Sequence, residues 1–121
     1  MNQGLRQILS NYNILFDAAK NEFKQNKKTF AEIKYASSFT QQDLDILDTM
    51  KRHLFQTSYM LMESHNSAQN VYNNFDDETK EKIDAYNLLN KRIHWLNKEI
   101  TTFVKENKNN VSTTEDFEIN I

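Results

Sequence analysis

The chain has no cysteine, no proline and a single glycine, Gly4. Without cysteine there are no disulfides, thiolate metal ligands or thiol nucleophiles, a composition suited to a reducing compartment. With no proline and one glycine near the start, the residues that break helices and build tight turns are missing from the interior. That argues against a β-sandwich, a barrel or a glycine-rich phosphate loop. Long apolar runs are missing as well. No stretch approaches the ~20 residues needed to span a bilayer, and the N-terminus MNQGLRQILSNYNILFDAAK has no basic flank followed by a sustained apolar segment. The expectation is a cytoplasmic protein, neither secreted through a cleavable signal nor embedded in a membrane.

A dominant charge is also lacking. The 15 basic and 17 acidic residues are dispersed along the chain for a net charge of −2, so no single-sign field draws it to nucleic acid or anionic lipid. Its 121 residues suffice for one domain that buries roughly two-thirds of the surface its unfolded chain exposes. Asparagine and lysine are abundant, which points to an AT-rich genome such as that of a low-GC bacterium or its phage.

What the sequence does have is helical periodicity. In the first segment Leu5, Tyr12, Ala19, Asn26 and Ile33 recur every seven residues, and Leu9, Phe16, Phe23 and Phe30 form the adjacent row. Together they make a coiled-coil-like apolar seam interrupted only by Asn26. A helix over about residues 3–35 is expected, roughly 45–50 Å long at about 1.5 Å per residue. Thr40 can then accept a hydrogen bond from the Asp43 amide, and Phe39 can staple onto Leu44, which starts a second helix at 41. That helix, expected over 41–73, carries Leu47, Leu54, Leu61, Ala68 and Phe75 on one row and Met50, Thr57, Ser64 and Val71 on its neighbour.

The cap formers and acids of the Asn73-Asn74-Phe75-Asp76-Asp77-Glu78 stretch favour a third helix over 76–107. Tyr86, Ile93 and Ile100 form one of its rows, and Leu89, Leu96 and Phe103 the other. Because both connectors are short, an antiparallel up-down-up bundle with packing angles near 20° is expected over residues 1–108. A long hairpin with the third helix docked elsewhere is the alternative topology. Residues 109–121 lose the periodicity and carry three acids and no base from Val111 onward, as a flexible acidic tail does.

Candidate functional residues lie off the seam. Leu54 to Met62 is apolar on nearly every side of the second helix, and such a helix needs neighbours all round. Phe55, Tyr59 and Met62, with Leu88 and Trp95 on the third helix, are therefore the candidate partner-binding residues. Aromatic residues and methionine are enriched at the centres of protein interfaces. The competing account is that all five are core, since globular bundles use three apolar positions in seven. In the tail, Phe117 and Ile119 alternate with polar residues as in a strand that adds to another protein's sheet.

Other chemistries find little support. Lys20, Lys24, Lys27, Lys28 and Lys34 form a partial stripe that could meet phosphates, but Glu22 and Glu32 interrupt it and a solvated outer face is the better account. His53, His65 and His94 lack metal-ligand spacing, and no nucleophile, base and oxyanion donor stand together. No cofactor, metal or catalytic residue is expected. The reading is a small non-enzymatic binding module, an adaptor, inhibitor or regulatory subunit, with a protein partner of unknown identity. Self-assembly as a homo-oligomeric scaffold and a nucleic-acid accessory role are the alternatives; nucleic acid is the least favoured partner, and no membrane contact is expected.

Overall fold

The computed structural model describes residues 2–110. Three helices follow one another: α1 (Gln3–Lys34), α2 (Gln41–Asn70) and α3 (Asp77–Asn107), with a single 3-10 turn at Tyr72–Asn74. Each helix opens on a side-chain cap. Asn2 accepts from the Leu5 amide at 2.8 Å, Asp76 accepts from the Thr79 amide at 2.8 Å, and Thr40 and Asp43 form a reciprocal capping box. The caps satisfy backbone N–H groups that have no partner within the first turn.

Pairings between helices fix direction and register. Tyr12 meets His65 and Glu22 meets Thr57, so positions rise on α1 as they fall on α2. Ser58 meets Asn90 and Tyr72 meets Asp84, which sets α2 and α3 antiparallel in the same way. Phe16 stacks on Tyr86 and Phe30 meets Phe103 edge-on, so α1 and α3 run parallel. The result is an up-down-up bundle in which α2 is the central partner and α1 and α3 approach one another least.

The seven-residue rows become the core. Tyr12, Leu54, Leu61, Ile93 and Ile100 are buried almost completely. At one end Phe39, ahead of the Thr40 cap, packs against Phe103. At the other end, Tyr12 lies edge-on to Tyr86 with ring centroids 4.9 Å apart, and the Tyr86 hydroxyl donates to Asn13. Burial, followed by the Tyr86 side chain, pushes the Tyr12 phenol well above its ordinary pKa.

Three boundaries differ from expectation, and the smallest difference is that α3 begins at Asp77 rather than 76, since Asp76 is its N-cap. Helix α1 stops at Lys34, one residue short, with Tyr35 as C-cap. Helix α2 ends at Asn70 rather than 73, because Val71 leaves helical geometry (φ −119°, ψ 16°) and its N–H turns back to the Ala68 carbonyl. Phe75 then takes an extended backbone (φ −93°, ψ 156°) and is buried. It continues the seven-residue row of α2 in sequence, yet it enters the core from the connector. Early termination is what allows this ring to turn inward and close the end of the bundle.

Candidate partner-binding surface

Leu54, Ser58 and Leu61 point into the bundle, and this decides where the rest of the apolar run on α2 faces. At about 100° per residue, Phe55, Tyr59 and Met62 share a stripe beside that inward face. They are 63%, 52% and 42% exposed respectively. The all-round apolar character of the run therefore divides into a buried row and an uncovered stripe. Met60 is exposed as well, but it is turned about 100° from Tyr59 and stands apart. The Tyr59 phenol is pushed above its ordinary pKa, chiefly by hydrogen bonding to the Glu63 carboxylate one turn on.

Leu88 and Trp95 are also exposed, but on another face. The α2 side of α3 is marked by Asn90 and His94, which reach Ser58, and by Asn97 and Thr101, which line a groove with Phe55. Trp95 precedes Asn97 by two residues and so points about 160° away from it. The structure thus separates the five described candidates into two surfaces, one on α2 and one on α3. Phe117 and Ile119 lie outside the described residues, as does most of the acidic tail.

Beneath the α2 stripe lies a polar layer. The Ser58 hydroxyl has one proton, which it donates to Asn90 Oδ1 at 2.7 Å; His94 Nε2, at 2.8 Å from the same oxygen, is then the donor to it. One residue away on α2, Thr57 donates to Glu22 on α1 at 2.8 Å. All three helices are tied at this level by bonds that only one rotation of α2 can make.

Ser58, Asn90, Asn97 and Thr101 stand outside the apolar rows of the sequence and are not among its candidate residues. The available signal was the 4-3-4 spacing of Asn90, His94, Asn97 and Thr101, a polar stripe with helical period on α3. His65 is half-buried with its Nδ1 3.1 Å from the Tyr12 hydroxyl. The α1 lysines are all exposed. Among the described residues no helix is long and apolar enough to cross a membrane.

No family model, curated protein or solved structure matches the chain. Its functional reading therefore rests on the surface itself.

Proposed function

We propose that the chain is a non-enzymatic protein-binding module that lays the Phe55, Tyr59 and Met62 stripe of α2 against the surface of a partner protein. One observation carries this reading: three large apolar side chains stand on successive turns of a helix whose inward face is already filled by Leu54, Ser58 and Leu61. The fold covers them only in part. Their spacing of four and then three residues is that of anchors an amphipathic helix presents to an apolar groove. Each leaves about half of its apolar surface in water, and removing that surface is worth about 1 kcal/mol per side chain. In this reading the module is a cytoplasmic adaptor, inhibitor or regulatory subunit of a low-GC bacterium or its phage.

A second reading, self-assembly into a scaffold, draws on the placement of Leu88 and Trp95. Two different apolar patches on different faces are what a head-to-tail contact needs if copies are to add without closing.

The test is affinity capture from native host extract, with and without nuclease, using the wild-type chain and the Phe55→Ser/Tyr59→Ser pair. The expected result is a stoichiometric protein that survives nuclease and is lost with the pair, while helicity and melting temperature stay unchanged. Equal capture by both chains refutes the assignment of the stripe. Sedimentation that grows with concentration and collapses on Trp95→Ser favours the scaffold.

A further inference from the structure

Between α2 and α3, on the side that carries Phe55, lies a groove of about 370 Å³ lined by Lys51, Arg52, Phe55, Gln56, Asn97 and Thr101. Through Asn97 and Thr101 it continues into a depression that includes His94 and Lys98. Asp48 lies 3.6 Å from Lys51 and 3.4 Å from Arg52, so two cations share one carboxylate, and Lys98 has no ion pair among the described residues. Asn97 Oδ1 is buried there without a hydrogen-bond partner among the described residues.

A groove with surplus positive charge and an exposed aromatic ring calls for an occupant with carboxylates and an apolar side chain. An acidic peptide has both, whereas a phosphodiester backbone satisfies the cations but brings no apolar side chain to Phe55. The chain itself contains such a peptide in Glu115, Asp116, Phe117 and Glu118.

Length and order agree with this. Asn97 lies ten residues before the end of α3, about 15 Å along the axis at about 1.5 Å per residue. Phe117 is seven residues beyond Asn110, the last described position, and seven extended residues reach about 24 Å. Between the helix end and the groove lies a depression lined by Asp45, Asp48, Val104 and Lys108. The segment that would cross this acidic ground, residues 111–114, is uncharged, and the carboxylates begin only at Glu115. The sequence of charges along the tail thus matches that along the groove.

We propose that residues 111–121 dock on the α2–α3 groove of their own chain, with Phe117 against Phe55 and with Glu115, Asp116 and Glu118 among Lys51, Arg52 and Lys98. The contact is intramolecular. Its consequence, that a partner must displace the tail to reach the α2 stripe, rests on the proposed function; the docking itself does not.

Because the chain has no cysteine, Asn120→Cys provides a unique site for a nitroxide spin label on the full-length protein. Expected is paramagnetic broadening of the Gln56, Asn97 and Thr101 amides. The broadening should be lost in an Arg52→Glu/Lys98→Glu background and weakened in 1 M salt, where the Debye length falls to about 3 Å. Broadening confined to the last turn of α3, or centred on the Trp95 face, overturns the proposal. So does broadening that appears when ¹⁵N-labelled chain is mixed with spin-labelled unlabelled chain, since that places the tail on a second copy. No partner is present in this measurement, so its failure and the failure of partner capture are separate results.

Discussion

Ser58→Ala should destabilise the bundle far more than the loss of one oxygen from a helix suggests. Ser58 is 3% exposed and Asn90 7%, and the serine hydroxyl supplies the proton that Asn90 Oδ1 accepts. Alanine removes that donor and leaves the amide oxygen between two helices without a partner, a penalty of about 1–3 kcal/mol. His94 adds little to the loss, because its ring is exposed and water can take the place of Ser58. For a chain of this length the change corresponds to a fall in melting temperature of about 4 °C per kcal/mol. Asn90→Leu should cost less than Ser58→Ala, since the Ser58 hydroxyl keeps His94 as partner. In the double variant both buried polar partners are gone and leucine fills the space, so its stability should approach that of Asn90→Leu alone. Urea unfolding followed by far-ultraviolet circular dichroism measures all three, with an unchanged m-value confirming that the same transition is compared. If Ser58→Ala falls within about 0.5 kcal/mol of wild type, as surface substitutions do, or if the two single changes simply add, the polar layer does not couple α2 to α3 as described.

Three further perturbations probe other parts of the fold. Thr40→Ala removes the acceptor for the Asp43 amide from the capping box at the start of α2 and should cost about 1 kcal/mol; an unchanged urea midpoint would mean that Phe39 alone fixes this helix start. Gly4→Ala should stabilise by up to about 1 kcal/mol, because Gly4 is helical and an added Cβ meets only Asn2 Oδ1, at 3.4 Å; a loss of stability would show that this contact disturbs the Asn2 cap. For His65, burial holds the pKa below the ordinary histidine value, with Asp84 opposing the shift and Lys91 adding to it. The unfolded state then binds the proton more readily, so the His65 contribution is intact above the unfolded pKa and is lost as pH falls through the folded one. Between about pH 7.5 and about pH 5.5 the wild type should lose more stability than His65→Gln, and equal losses in the two proteins would count against the assignment.

The rows of seven made the architecture readable. Leu47, Leu54, Leu61 and Ala68 are each spaced so that only one side of a helix holds them all, and that side is the buried one. Phe75 shows where such counting stops. Its number in the row is right, but a row says nothing about whether the backbone is still helical when it gets there. Asn73 and Asn74 favour termination, and the ring reaches the core from an extended residue. The candidate surface was harder to read, because apolar residues from Leu54 to Met62 stand on nearly every side of α2 and hydrophobicity alone leaves its rotation open.

The rotation is decided by a residue that an apolar pattern treats as an interruption. With Ser58 turned toward Asn90, Leu54 and Leu61 face the core and Phe55, Tyr59 and Met62 lie along its edge, about half exposed; a rotation that carried Phe55 or Tyr59 inward would take Ser58 from Asn90 and leave Asn90 buried without its donor. A leucine at position 58 would suit an apolar core and leave α2 freer to turn, since apolar contacts are far less directional than hydrogen bonds. The polar layer can therefore contribute little net stability and still set which surface the bundle presents, because a bundle with several acceptable rotations would present several different surfaces. The same residue that sequence periodicity passes over is the one that holds the aromatic stripe toward solvent.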